Sequence, residues 1–391
     1  FVHTACPRCG SEAERETDTL GGFACSSWYF LRFADPHNDR EPYSREAVAY
    51  WLPVDYYVGG AEHAVGHLLY ARFWTKVLYD AGYLPFKEPF NRLRNQGMVL
   101  ALTPYRKPEP GEILKPGEPG ILIRREELSK YKKEELIWVW EKMSKSKGNV
   151  VTPDEVVERY SADTLRLYEL FVAPFEADIQ WEEQGVRGIY RFLNRLWKLF
   201  MDFRPHFVRN WREILANTHE LSKDARNLRR RTHTTIKRMY TDIEAFRFNT
   251  AVAAMMEWSN EMAAFMSKLQ TPPAQRTEVA VLSESAENLI LVLAPFAPHI
   301  ADELWERYGF EGFTYEQPYP AYEESVAKAE EITLVVQING KVRDRLTVPA
   351  DISEEEMKAS ALASPRVQAY LDGKQVKRII VVPGKLVNIV I

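Results

Sequence analysis

Four long segments, at about residues 184–203, 222–245, 247–270 and 283–308, repeat their apolar residues at helical spacing with no strand pattern between them. Helices that carry an apolar face over so long a stretch must close on one another, so this part of the chain is expected to form an all-helical bundle. The flanks follow other periods. From Phe23 to about Leu102, aromatic and aliphatic runs alternate with Gly and Pro punctuation, as in the strands and helices of an α/β layer. Residues 51–58 read there as a short buried strand ended by Gly59-Gly60, and residues 62–79 as a helix. Residues 103–120 are dense in Pro, Gly and charge, which marks an insertion or linker. Thr152 stands where it can cap a helix whose first turn holds Pro153, Asp154 and Glu155. Beyond residue 331, two strand-like runs at 333–338 and 341–348 flank Asn339-Gly340, the preferred dipeptide of a two-residue hairpin turn. A helix at 353–371 and a second hairpin, 376–382 and 386–391 around Pro383-Gly384, complete a small α+β module. No internal repeat is present.

Composition narrows the class. Of 391 residues, 46% are apolar and 27% charged, a globular balance that excludes a disordered or fibrous chain. No run approaches the ~18 apolar residues of a membrane span, and no signal peptide opens the sequence. Three cysteines are too few for a disulfide scaffold, so a reducing, cytoplasmic setting is expected. The first residue is Phe, and the sequence reads as a piece of something larger. A net charge of −4 argues against a generally polybasic chain, but the charge is uneven. Residues 186–212 carry seven Arg/Lys and one acid, and residues 222–247 carry eight basic and three acidic residues. Helices with net charges of +6 and +5 inside an acidic chain suit a phosphate-facing surface, although either alone is equally a solvated helix face.

The chemistry concentrates at Lys142-Met143-Ser144-Lys145-Ser146. Two ammonium groups three residues apart, on a loop rich in Ser and Gly, make a mobile clamp for polyphosphate. Cations held where charge develops on a leaving pyrophosphate stabilise the transition state more than the ground state. The pentapeptide, its continuation Gly148-Asn149-Val150-Val151 and the later Asp163-Thr164-Leu165-Arg166 resemble the second signature region of class I aminoacyl-tRNA synthetases. The resemblance extends over essentially the whole chain and narrows to leucyl-tRNA synthetases of the bacterial type. It is carried by Glu16-Thr17-Asp18-Thr19, by the run from Ser26 to Arg32, by Leu52-Pro53-Val54-Asp55 with Gly59-Gly60-Ala61-Glu62-His63, and by His67-Leu68-Leu69-Tyr70. Further matches are Arg191-Phe192-Leu193-Asn194-Arg195-Leu196-Trp197, Ala294-Pro295-Phe296-Ala297-Pro298-His299, the run from Val336 to Arg343, and the run from Pro383 to Asn388. Isoleucyl and valyl enzymes share the helical bundle, but the motifs at 23–70 are not theirs. Where the family often has carboxylates ahead of Ser26, this chain has Gly21, Gly22 and Cys25.

The resemblance implies a multidomain architecture combining α/β, all-α and α+β parts. Residues 1–20 would be a remnant of a zinc-knuckle segment, and 21–102 the second half of a Rossmann-like nucleotide fold. Residues 103–138 would be an insertion, 139–175 the signature loop with its helical connection, 176–325 an anticodon-binding bundle, and 331–391 a C-terminal tRNA-binding module. It implies ATP and Mg²⁺ as cofactors and L-leucine, ATP and tRNA(Leu) as partners, with no membrane. Lys142 and Lys145 would act on the phosphates. Gly60, Glu62, His67, Gly97, Met98 and Val99, with Met143, Ser144 and Ser146 of the loop, would bind ATP. Phe23, Ser26, Tyr29 and His63 would form the leucine pocket. Arg191, Arg195, Arg229, Arg230, Arg231, Lys341, Arg343 and Lys385 would contact tRNA. The family enzyme activates leucine with ATP and transfers it to tRNA. Its His-x-Gly-His half and editing domain have no counterpart in this sequence, since His63-Ala64-Val65-Gly66-His67 is one residue too long for that signature. The chain alone is therefore expected to bind tRNA but to be catalytically incomplete. A complementary N-terminal polypeptide, or a non-catalytic tRNA-binding role, stays open. So does zinc at Cys6 and Cys9, a Cys-x2-Cys half-site to which His3 could add a ligand.

Overall fold

The computed structural model describes all residues except 19–22, 115, 270–275, 329, 330, 350, 351 and 372. Thr19, Gly21, Gly22 and the end of the segment expected at 247–270 therefore lie outside the described residues. The chain divides into two compact units, one of Phe1–Glu158 with Val172–Gly185, the other of Arg159–Phe171 with Val186–Ile391. Among the described residues no helix is long and apolar enough to cross a membrane.

In the first unit the helices Tyr29–Phe33 and Arg45–Trp51 close a core of Phe30, Leu31, Tyr43, Val48, Ala71 and Leu84. Ser44 starts the second of them by accepting from the Ala47 N–H at 3.1 Å. The strand expected at 51–58 is mostly absent: Trp51 ends a helix, Val54 makes an isolated parallel bridge to Phe90, and Tyr57–Val58 forms a short strand in a parallel pair with Leu93–Arg94. Pro53, which follows a cis peptide bond, has no N–H to give a ladder. The helix expected at 62–79 is present in three windings: a 3₁₀ turn Ala61–His63, a π-turn Ala64–Leu68 and the α-helix Leu69–Asp80. The insertion expected from residue 103 begins later, because Val99–Arg106 is one strand with Ala101, Thr103 and Tyr105 on its buried face. It pairs antiparallel with Leu136–Lys142, with Leu100 opposite Lys142, and parallel with Ile179–Gln180. That register delivers Lys142 beside the start of the strand.

In the second unit Glu183–Phe203, which begins at the end of the first, places Val186, Ile189, Phe192, Leu193, Leu196, Phe200 and Phe203 on one buried face. Each such side chain contributes about 1.5–3 kcal/mol when fully buried. Lys223–Glu244 is capped by Ser222, and Phe248–Lys268 follows it. The helix expected at 283–308 is two, Arg276–Leu293 and Pro298–Arg307, because Pro295 and Pro298 interrupt the hydrogen-bond ladder. Arg276–Leu293 is the central helix, buried on all sides from Ala280 to Ile290, and it carries Glu284 and Glu287 into the interior. The small module folds as a four-stranded sheet in which Leu386–Val390 lies between Glu331–Ile338 and Arg378–Val382. Its first turn has Asn339 at φ 46° and Gly340 at φ 77°, the left-handed pair that the dipeptide predicts. The single helix expected at 353–371 is split by Pro365 into Glu354–Ala363 and Pro365–Leu371.

Candidate functional site

The Tyr57–Val58 strand ends in Gly59-Gly60, and the winding helix after it turns His63 and His67 to one side. There they line a cavity of about 470 Å³ with Phe23, Ser26, Tyr57, Leu68, Leu93 and Asn95. His67, expected at the nucleotide, thus shares a wall with the leucine candidates. Tyr29 enters indirectly: its hydroxyl is 3.0 Å from the Tyr57 hydroxyl, which is 2.6 Å from His67 Nε2. Burial, then the hydrogen bond to Tyr29, pushes the Tyr57 phenol up, so it stays a neutral hydroxyl. Burial, and secondarily the charge of His63, pulls the His67 imidazole below its ordinary 6.5. The Nδ1 of His67 is buried and has no hydrogen-bond partner among the described residues. Gly66 lets Phe23 approach, since a Cβ there would meet its ring at 2.9 Å.

A second cavity, about 500 Å³, is lined by Ala61, Glu62, Arg94, Gln96, Gly97, Met98, Glu176 and Asp178, and it shares Leu93 and Asn95 with the first. Asn95 Nδ2 donates to the Gly59 carbonyl at 2.8 Å and so fixes the loop between the two cavities. Gly97 is required by close approach: a Cβ would overlap the Ala177–Asp178 backbone. Met98 N–H donates to the Asp178 carboxylate at 2.8 Å. Tyr57, Asn95, Glu176 and Asp178 were not singled out by sequence, because their roles come from tertiary neighbours rather than from spacing.

The 142–146 loop opens from the end of the Leu136–Lys142 strand. Lys142 Nζ donates to Glu62 Oε1 at 2.8 Å, and this hydrogen bond holds the Glu62 carboxyl below its ordinary value. Met143 N–H donates to the Val99 carbonyl at 3.2 Å. Ser144 and Ser146 hydroxyls are 2.8 Å apart, and Asn149 Oδ1 accepts from the Ser144 N–H. Lys147 pairs with Glu141 at 2.7 Å, whereas Lys145 is exposed and makes no ion pair among the described residues.

The cations expected to meet tRNA divide. Arg191 and Arg195 are exposed on one face of Glu183–Phe203, without an ion pair among the described residues. Arg229 is committed internally: Nε donates to Glu284, and a terminal nitrogen is 2.9 Å from Glu323. Arg231 pairs with Glu257 and Glu261, and Arg230 donates to Asn227 Oδ1 at 2.9 Å. Arg229 and Arg231, both expected to contact tRNA, thus have carboxylate partners within the bundle. In the small module Lys341 and Lys385 are exposed at opposite ends of the paired strands, while Arg343 lies over the Tyr370 ring at 4.1 Å.

Metal sites are poorly supplied. Cys6 and Cys9 are free thiols flanking a small hairpin turn, and His3 is paired with Glu14 at 3.5 Å. No third ligand joins the two sulfurs among the described residues, so these residues do not complete a zinc site. The one cluster of metal-type ligands among the described residues, His233 with Glu284 and Glu323, already has partners: both carboxylates hold the Arg229 guanidinium, and His233 Nε2 lies 3.1 Å from Glu284. Three such ligands do not gather at the two cavities, so a Mg²⁺ there would depend on phosphate oxygens.

Residues 225–358 match the family model described as the anticodon-binding domain of tRNA ligase, and residues 140–182 match class I tRNA synthetases (I, L, M and V). A leucine--tRNA ligase of Symbiobacterium thermophilum is 44% identical over 415 aligned residues, covering all of this chain and 44% of the relative. One of Thermotoga maritima is 44% identical over 392, covering all of this chain and 42% of the relative. Among solved structures, the ternary LeuRS-tRNA-LeuAMS complex of Agrobacterium radiobacter K84 matches the whole chain with TM-score 0.74 at 34% identity, over 44% of that protein. The chain spans somewhat under half the length of the curated relatives it matches. Over its entire length, this chain is a homologue of the class I leucine--tRNA ligases.

Proposed function

We propose that this chain forms part of an ATP-dependent leucine--tRNA ligase. The observation that carries the reading is the pair of cavities sharing Leu93 and Asn95, one largely apolar and the other edged by the Lys142–Glu62 pair. The first suits a leucine side chain, with Phe23, Ser26, Tyr57 and His63 around it. The second suits adenosine, with the Gly97–Val99 backbone along the base and Glu62 accepting from ribose hydroxyls. The leucine carboxylate attacks the α-phosphorus of ATP, forming leucyl-adenylate and releasing pyrophosphate; leucine then passes to a hydroxyl of the tRNA 3′ end. The protein's part is orientation and charge stabilisation by Lys142 and Lys145 rather than covalent catalysis. Mg²⁺ supplies charge neutralisation on the phosphates. The bundle and the small module hold tRNA, through Arg191, Arg195 and Arg230 in the one and Lys341 and Lys385 in the other; contacts of this kind position RNA rather than read its sequence.

The lining of the first cavity includes no Asp or Glu among the described residues. An α-amino acid brings an ammonium group that needs an anionic or carbonyl partner. Backbone carbonyls of Val58 and Gly59 are in that lining, and the candidate complement is the remaining part of a related ligase, since the chain spans under half the length of those relatives. The test is leucine-dependent ATP–pyrophosphate exchange by the 391-residue chain, with and without the remaining part of a related ligase, alongside tRNA binding by the chain. Exchange that requires the complement, with tRNA binding that does not, is expected. Absence of both activities in the combined preparation would sink the reading.

A further inference from the structure

The helix Ala162–Phe171 belongs to the second unit, yet both of its ends run into the nucleotide-binding unit. Upstream, the short helix Pro153–Arg159 connects it to the 142–146 loop. Downstream the chain leads to Phe175, whose carbonyl accepts from the Gly97 N–H at 3.1 Å, and to Asp178, whose carboxylate accepts from the Met98 N–H. Covalently, this one helix is strung between the phosphate loop and the backbone proposed to meet adenine.

Its own anchorage is to the bundle. Leu167 and Tyr168 are buried. Asp163, 4% exposed, accepts from the Ile300 N–H at 2.7 Å and lies 2.9 Å from His299 Nδ1. It thereby caps the helix Pro298–Arg307, whose own N-cap, Ala297, has no side-chain oxygen to offer. Arg166 donates through Nε to the Phe296 carbonyl at 3.2 Å and through a terminal nitrogen to the Pro295 carbonyl at 3.0 Å. The break between two bundle helices is therefore satisfied by side chains from the helix that follows the signature loop. A local Ser or Asp at 297 would cap the helix equally well without linking anything.

We infer that Asp163 and Arg166 are positioning residues: they tie the helix that carries both edges of the nucleotide site to the bundle, so that RNA bound on the bundle alters the 142–146 loop. The inference rests on the ligase reading above. Two sites whose states are linked through one packed element commonly couple by about 5–150-fold.

The test separates anchorage from stability. Asp163→Ala removes the cap, and Ala297→Ser added to it restores a cap local to Pro298–Arg307 with no link to the other helix. Hydrogen exchange at residues 142–149 is followed in the wild-type chain and in the double variant, with and without a leucine-accepting tRNA transcript. The wild-type loop is expected to slow by about tenfold on tRNA binding. The double variant should bind tRNA within about threefold of wild type, as its cap and fold are restored, yet lose that slowing. Arg166→Lys, which keeps the charge but not the two-carbonyl fork, should lose it in part and serves if the double variant does not fold. Slowing that survives in both variants overturns the inference. So does a wild-type chain that binds tRNA with no change at the loop. A wild-type chain that does not bind tRNA overturns the ligase reading and this inference together.

Discussion

Lys142 Nζ rests 2.8 Å from Glu62 Oε1, joining the end of a strand to the first turn of a helix that begins eighty residues earlier. Both side chains are about half exposed, so the pair contributes little to stability and breaks readily. Its consequence is for charge: Lys142 is neutralised on the Glu62 side, while Lys147 is neutralised by Glu141. Lys145, the fourth residue of the pentapeptide, is left as the loop cation without an ion pair among the described residues.

Lys145→Ala in a complete ligase should therefore lower leucyl-adenylate formation by about 10²–10³, the loss typical of one electrostatic donor at a developing charge. The KM for leucine should be nearly unchanged, because the ammonium acts on the leaving pyrophosphate. Pyrophosphate exchange measured against leucine and ATP separately checks this; an unaltered maximal rate removes Lys145 from the clamp.

His67 gives a pH signature. Its imidazole is held below 6.5 by burial and by the charge of His63. A depressed histidine contributes stability that is present above 6.5 and is lost as pH falls through its lower folded value. The His67 ring resonances in an NMR titration should show a midpoint below 6.5, and His67→Gln should flatten the decline in stability just under that pH. A midpoint above 6.5 contradicts the burial argument.

Much of the bundle was legible because a helix with one apolar face writes its period into the sequence, as Glu183–Phe203 does almost to the residue. The Asn339-Gly340 turn was legible because few other dipeptides accept φ of 46° and 77°. The breaks were harder. Pro295 and Pro365 interrupt stretches whose apolar spacing runs on across them, so periodicity joined what the backbone divides. At the site, the pentapeptide stood out through its spacing. Tyr57 did not, since only the fold shows that its hydroxyl lies between Tyr29 and His67. The partner of Arg229 was not legible for a related reason: Glu284 is fifty-five residues away and leaves no local pattern.

Asn149 ties the loop down. Its Oδ1 accepts from the Ser144 N–H at 2.8 Å, and its Nδ2 donates to Thr103 Oγ1 at 2.8 Å. Asn149→Ala removes both bonds, each worth about 0.5–1.5 kcal/mol. The expected result is a loss of about tenfold in kcat/KM for ATP with the leucine KM unchanged. A shift in the leucine KM instead would place Asn149 in the support of the other cavity.

Arg229 and Arg195 provide opposite expectations from the same residue type. Arg229 faces Glu284, whose side chain is 2% exposed, and also reaches Glu323. Arg229→Ala leaves Glu284 with His233 alone in the interior, which should cost about 3 kcal/mol of stability in thermal or denaturant unfolding. Arg195 is exposed and has no ion pair among the described residues, so Arg195→Ala should leave unfolding within about 0.5 kcal/mol of wild type. Its effect should appear instead in tRNA binding, as a weaker affinity and a salt dependence reduced by about one counterion. Both variants are compared by unfolding and by tRNA binding at several salt concentrations. If Arg229→Ala unfolds like wild type while its tRNA affinity falls with a shallower salt slope, the guanidinium meets phosphate after all, and its pairing with Glu284 gives way in the complex.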